Sequence, residues 1–172
     1  MNLVLPVDEL IEAVVAMIWE TKATPMGLKI CEQSLADSPV DLGSTPEEVA
    51  AKFPAVYVSS PDGWREGETD SPQRGMGGTI LSLRLTYLQQ YPLDAAPGDT
   101  ARSCWQAGSQ LAEVFADPEF RFPGSITLPD LVIFRRCKPV GIQAYSAAEL
   151  IDLGTRICGC DVDLSLQFAT FG

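Results

Sequence analysis

The sequence predicts an α+β domain, in which helices pack on one face of an antiparallel sheet that carries a long hairpin arm. Two observations support this class: apolar residues recur every three or four positions near the N-terminus, and they alternate with polar residues in two later segments. The order of the predicted elements is the third, because helices and strands do not alternate regularly as in a parallel sheet. A length of 172 residues with 46% hydrophobic and 20% charged residues is typical of one folded domain, so we expect residues 1–172 to share a single core.

The first predicted element is an amphipathic helix from Val7 to about Thr21. Its acidic residues lie on the face opposite the apolar one, and those in the first turn favour the positive end of the helix dipole. Thr24-Pro25, followed by Gly27, ends the pattern. The apolar face consists of Val7, Leu10, Ile11, Val14, Val15 and Ile18.

A short second helix and two strands are predicted next. Thr45 is a suitable N-cap, since Pro46 follows it and Glu48 lies at the capping-box position, and this helix should end near 53–54. Residues 55–59 form the first predicted strand. Residues 79–87 form the second, in which leucines alternate with polar residues.

The segment between these strands, 60–78, predicts a flexible hairpin arm. It contains five glycines, two prolines and six charged residues around a single large apolar side chain, Trp64. A connection this long is usually functional. An arm of this size reaches roughly 30 Å when both sides are extended. Because Trp64 has no apolar neighbours in this segment, it is a candidate anchor for an interface with another protein.

A third helix is predicted from a cap at Asp99-Thr100 to about Ala116, where Asp117-Pro118 stops it. Its apolar stripe includes Trp105, which we expect in the core.

The C-terminal part predicts two further strands, at 128–136 and 157–168. Ser146 and Glu149 have capping-box spacing and indicate a short turn of helix between them. The last strand gives the clearest alternation in the chain.

Composition argues against most enzymes and against nucleic-acid binding. The chain has no histidine, which removes the usual general base of Ser and Cys nucleophiles. Its net charge of −11 and pI of about 4.3 should repel nucleic acid and anionic membranes. No run of about 18 uncharged apolar residues is present, so we expect an intracellular, soluble protein with no membrane partner. We expect no catalytic activity and no cofactor.

A cysteine pair and an aspartate pair could have a chemical role, but each also has a structural explanation. Cys158-Gly159-Cys160 suggests a metal or redox site, yet zinc needs about four convergent ligands, so buried, reduced thiols are the favoured interpretation and no metal site is expected. Asp161 and Asp163 share one side of a strand and could bind a cation, although a solvated strand face needs such residues anyway. An enzyme that uses these two acids or Glu113 is a third hypothesis for the function. The other cysteines are Cys31, Cys104 and Cys137.

The only basic cluster in the sequence is formed by Arg135, Arg136 and Lys138. It could touch a phosphate backbone or an acidic neighbouring subunit, or it could be a solvated strand end. The acidic net charge favours the neighbouring subunit over nucleic acid.

The chain as a whole resembles the tail terminator, or tail completion, proteins of long-tailed bacteriophages. The resemblance rests on the helix containing residues 8–15, the hairpin with its polar arm at 60–78, the helix 100–116 and the alternating strand 161–168.

This resemblance implies a structural virion protein of the tail or neck, assembled in the host cytoplasm. It implies a hexameric ring of identical subunits that caps the tail tube and joins it to the neck or connector protein, and it leaves the tail sheath open as a further partner. DNA would pass through the ring without specific binding. The resemblance also implies that Trp64 and the charged residues of the arm, Arg65, Glu66 and Arg74, lie at contacts with neighbouring proteins. A neck stopper or adaptor stays open as a close alternative. A small ligand-binding or regulatory domain with no virion role is the alternative from another class.

Overall fold

The computed structural model describes residues 5–35, 40–66 and 76–171, which form a mostly antiparallel six-stranded sheet and three α-helices. This confirms the predicted α+β class. The elements are α1 (Val7–Met26), β1 (Ile30–Gln33), α2 (Pro46–Lys52), β2 (Ala55–Ser59), β3 (Trp64–Glu66), β4 (Met76–Pro92), α3 (Pro97–Ala116), β5 (Val132–Leu150) and β6 (Thr155–Phe171), with a 3-10 turn at Ile151–Leu153.

The strand order is β1-β2-β4-β6-β5, and β3 pairs with β4 alongside β2. Only β1 and β2 pair in parallel among the described strands. The long strands β4 and β6 pair from Met76↔Phe171 to Pro92↔Thr155. The sequence did not predict β1, because its four residues are too few to show an alternation.

The helix α1 forms as predicted but continues one turn further, to Met26. Pro25 lies in this last turn, where its missing N–H removes a single helical hydrogen bond. Gly27 then ends the helix with φ 65°, and its N–H is directed to the carbonyls of Ala23 and Thr24. Such a left-handed position favours glycine.

The helix α2 begins as predicted, with the Thr45 hydroxyl accepting a hydrogen bond from the Glu48 N–H at 3.2 Å. The Glu48 carboxylate in turn accepts from the Ser44 N–H. The long helices α1 and α3 lie on one face of the sheet, as predicted. The short α2 packs with Ala55 and Tyr57, on the face opposite to them.

Two predictions for α3 were wrong. The helix begins at Pro97, so Asp99 and Thr100 lie in its first turn and Thr100 donates to the Pro97 carbonyl instead of capping. Proline at the first helical position moved the start forward. The buried stripe of α3 is centred on Cys104, Leu111 and their neighbours. Trp105 follows Cys104 and so lies about 100° around the helix from it, which leaves Trp105 49% exposed.

The strand β5 contradicts the predicted strand end near 136 and the predicted helical turn at 146–149. It runs from Val132 to Leu150 because almost all of its residues pair with β6, which outweighs the local capping pattern. Three register shifts, between Phe134/Arg136, Pro139/Gly141 and Ser146/Ala148, interrupt its alternation. Because each bulge shifts the alternation by one residue, the sequence of β5 shows no continuous period of two.

The described ends of the segment 60–78 belong to the sheet. Trp64–Glu66 pairs with β4, where Trp64 lies opposite Leu81, and β4 begins at Met76. Residues 67–75, which include the predicted contact residue Arg74, lie outside the described residues.

The main core lies between the sheet and the two long helices. Its largest fully buried side chains include Phe115, Phe168, Leu10, Ile18, Leu83 and Leu164. No helix in the described ranges is long and apolar enough to cross a bilayer.

Candidate interaction surfaces at the sheet edges

Large apolar side chains reach the surface at the borders of the sheet. Eight such side chains are exposed in the described part of the chain: Trp19, Leu35, Trp64, Trp105, Leu131, Ile133, Val140 and Ile151. Their neighbours in the fold are the outer strands β1, β3 and β5. Exposed apolar groups that gather in one region mark contacts with other proteins more often than single scattered ones do.

The first border, which we name the β1 edge, consists of β1, the side of α1 that faces it, and Leu35. Among the described strands β1 pairs only with β2, so one side of its backbone is open. Between α1 and β1 lies a groove of about 670 Å³. The groove is lined by Glu12, Val15, Ala16, Trp19, Lys29, Ile30, Cys31, Glu32 and Gln33.

The helix α1 turns one side toward this groove, because Glu12, Val15, Ala16 and Trp19 have the spacing of a helical face. Trp19 is 46% exposed there. The groove therefore has an aromatic wall on the helix and an open strand on the other side.

The opposite border, the β5 edge, consists of β5, Leu131 and Ile151 at its ends, and Trp105 of α3. In the described residues β5 pairs only with β6. Val140 is the extra residue of a bulge and is 59% exposed. Leu131 has φ 67°, an uncommon left-handed position for leucine, and its side chain is also exposed.

The exposed tryptophans lie on opposite sides of the helical layer. The helix α1 contacts β1 and β2, whereas α3 lies over β4, β5 and β6. Val114 faces α1 across a cavity that Met17 and Thr21 also line. Trp105 precedes Val114 by nine positions, about two and a half turns, so it points away from α1, toward the β5 edge.

The two edges carry opposite charge. The β5 edge contains three basic residues, Arg135, Arg136 and Lys138, and one acidic residue, Glu149, near its end. Residues 7–26, which form α1, contain four acidic residues and one lysine. A chain of net charge −11 thus concentrates positive charge on one border only.

The structure brings two of the predicted contact residues into one row. Arg65 lies opposite Ile80, Ile80 opposite Gln167, and Gln167 opposite Arg136. These positions share the face away from α1 and α3, and their backbones span about 14 Å. The Arg136 Nε donates to Gln167 Oε1 at 3.2 Å.

The remaining predicted contact residues lie elsewhere. Arg135 is exposed at the first bulge of β5. Trp64 is 40% exposed and lies on the face of α1 and α3, since its partner Leu81 is a core residue. The backbone of Glu66 pairs opposite Thr79.

Asp161 and Asp163 share a polar face, as predicted, and three side chains from neighbouring strands converge on them. The Arg84 Nε lies 2.9 Å from Asp163 Oδ1 and 3.9 Å from Asp161 Oδ2. Thr86 and Tyr145 donate to Asp161 Oδ1 at 3.0 and 3.2 Å. The partners come from neighbouring strands, so only the register of the sheet could have revealed them.

The network pairs one guanidinium with two carboxylates, so it retains one net negative charge, and two neutral hydroxyl groups donate to Asp161. The hydrogen bond with Asp163 raises the pKa of Arg84, and burial raises the pKa of Tyr145, which keeps the phenol protonated as a donor. A cavity of about 350 Å³ lies over the network, with Tyr57 and Tyr145 among its walls. The cluster can hold the sheet together, and the cavity above it could admit a small polar molecule.

The cysteines of the predicted pair are buried, as expected. Cys158 and Cys160 pack against Cys104, and all five cysteines of the chain are free. Burial raises the pKa of Cys160 to about 11, so its thiol is protonated at neutral pH. Within the described residues, no three His, Cys, Asp or Glu side chains are placed to share a metal ion.

No protein-family model matches this chain, and no curated protein matches its sequence significantly.

Proposed function

We propose that this chain is a structural virion protein, a tail terminator subunit that forms a hexameric ring, caps the tail tube of a long-tailed bacteriophage and joins it to the neck. The observation that carries the proposal is the concentration of exposed large apolar side chains at the β1 and β5 edges. A ring requires two different lateral surfaces on every subunit, since each copy contacts one neighbour on either side. Two open and chemically different borders meet that requirement.

The charge of the chain is compatible with a channel for DNA. Six copies would carry a charge of about −66, which disfavours binding to the phosphate backbone. DNA would then pass without being held. The tube protein and the neck protein would bind the ends of the ring.

The proposal is tested by mixing the purified protein with tail tubes of the same virus. Electron microscopy should show a ring on one end of each tube, and native mass spectrometry should give a closed oligomer in the mixture. Bare tube ends together with a monomeric mass would refute the proposal. Binding to the neck but not to tube ends would favour a neck stopper or adaptor.

The arm has its own test. Residues 67–75 are replaced by a short Gly-Ser linker, which keeps β3 and β4 in the chain. We expect an unchanged thermal melt and a loss of tube capping, because Arg74 and its neighbours are expected at contacts with other subunits. Normal capping by this variant would remove the arm from the proposed role.

A second candidate function is a small ligand-binding domain. The observation in its favour is the cavity of about 350 Å³ over Arg84 and Asp161. Its test is a thermal-shift screen with polar metabolites, repeated with Tyr145→Phe, which removes one hydroxyl from the cavity wall. A ligand that stabilises the natural chain but not the variant would support this function over the ring.

A further inference from the structure

We infer that the β5 edge of one copy docks on the β1 edge of the next, so that a second copy of this chain fills the groove beside Trp19. This inference rests on the proposed ring and names the two surfaces that meet in it.

The strand directions permit this contact. The strand β1 runs parallel to β2, and each of the steps from β2 to β4, β6 and β5 reverses the direction. The strands β1 and β5 therefore run in opposite directions. Two copies placed side by side in the same orientation would bring β5 next to β1 as an antiparallel pair, with the helices of both copies on the same face.

The open parts of the two strands have compatible lengths. The strand β1 offers four residues, Ile30–Gln33. Between its second and third bulges, β5 offers an uninterrupted stretch, 141–146. Bulges and Pro139 interrupt the rest of the β5 edge, which limits pairing with other strands.

Exposed apolar side chains are also present on both edges. The groove of the β1 edge has about 670 Å³ and an aromatic wall at Trp19. Val140 is exposed on the β5 edge next to the stretch that would pair, and Trp105 is exposed on α3, which packs against β5. In the proposed contact these side chains become buried against one another. Aromatic residues are common at the centres of such interfaces.

Charge complementarity decides in favour of a contact between unlike edges. Glu12 and Glu32 line the groove together with Lys29, which leaves the lining one net negative charge, and Arg135 and Lys138 lie on the β5 edge. Lys138 and Arg136 also interact within their own chain, but the edge keeps its net positive charge. A two-fold contact of β5 with β5 would bring like charges together, whereas the head-to-tail contact brings opposite charges together.

Two charge-reversal variants test this inference. The first is Arg135→Glu/Lys138→Glu on the β5 edge, and the second is Glu12→Lys/Glu32→Lys on the β1 edge. A control is Asp94→Lys/Glu119→Lys, which makes the same change of charge as the β1-edge variant, and a change of equal size but opposite sign to the β5-edge variant, at exposed positions outside both edges. Circular dichroism and thermal melts establish that each variant is folded.

Assembly of each protein is measured by native mass spectrometry in the presence of tail tubes. We expect each edge variant alone to need more than about tenfold higher concentration for assembly than the natural chain, because like charges would face each other. The control should assemble normally. An equimolar mixture of the two edge variants should form rings with equal numbers of each, since every contact then joins opposite charges.

Normal assembly of either edge variant alone would overturn the inference while leaving the proposed ring in place. So would failure of the mixture to assemble, because the two edges would then not meet. Absence of any oligomer from the natural chain would instead refute the proposed function.

Discussion

Replacing Gly108 by alanine tests the contact between α3 and the sheet. A Cβ added at Gly108 would lie 2.6 Å from the Sγ of Cys160 and 3.0 Å from Cγ2 of Ile142. Ordinary contacts between such atoms are about 3.5–4.0 Å long, so the helix and the strand would have to move apart by several tenths of an ångström or more. Both Gly108 and Cys160 are buried, which leaves little room for adjustment.

The expected loss of stability follows from two opposing effects. Overpacking of a dense core costs about 1–3 kcal/mol, whereas replacing glycine by alanine in a helix gains about 1 kcal/mol. We therefore expect Gly108→Ala to lower the free energy of unfolding by about 1 kcal/mol. Gly98 in the same helix has no atom within 4 Å of an added Cβ, so Gly98→Ala should leave stability unchanged or raise it.

Urea denaturation of both variants gives the comparison. The double variant Gly108→Ala/Cys160→Ala adds a further measurement, because the new methyl group occupies space that the sulfur leaves. Its loss of stability should be smaller than the sum of the two single losses by about 1 kcal/mol. Equal stability of Gly108→Ala and Gly98→Ala, or strictly additive losses in the double variant, would refute the close approach of α3 to β6.

Three further predictions concern the local contacts. Thr45→Ala removes the cap of α2 and should cost about 1 kcal/mol in a urea titration, whereas Thr45→Ser, which keeps the acceptor for the Glu48 N–H, should cost much less. Arg84→Met leaves the carboxylate of Asp163 without its partner and should cost about 1 kcal/mol, and part of this loss should return in Arg84→Met/Asp163→Asn; a full loss in the double variant would contradict the pairing. Burial raises the pKa of Cys137 from 9.0 to about 12, so the stability that its neutral thiol contributes is present below pH 9 and is lost as the pH rises toward 12. Urea midpoints measured in this window should fall less for Cys137→Ala than for the natural chain, and parallel pH profiles would contradict the assignment.

Local signals in the sequence were sufficient where an element depends on its own residues. The period of α1 and the cap at Thr45 were predicted, and both rest on hydrogen bonds or faces formed by nearby residues. The strand 55–59 was also predicted, because its short apolar run is visible in the sequence although its pairing partners are distant. The strands β1 and β5 depend on pairing with distant segments. Bulges in β5 shift its alternation, so the sequence predicts a strand that ends too early.

The candidate surfaces could be predicted only in part. The sequence itself shows the basic cluster at Arg135 and Arg136 and the isolated Trp64 in the arm. The exposure of Trp19 and Trp105 is not, because each lies at the border of a helical face and the fold decides which side is covered. The groove beside β1 required both the unpredicted strand and its position at the end of the sheet.

A photo-crosslinking amino acid at position 33, an exposed residue of β1 that lines the groove, tests the central claim most directly. The variant is assembled with tail tubes, irradiated and digested, and the linked peptides are identified by mass spectrometry. We expect links between subunits from position 33 to the stretch 141–146 of β5. Links between subunits that start at position 33 but end on another part of the fold, or an absence of links between subunits, would contradict an assembly built from these two edges.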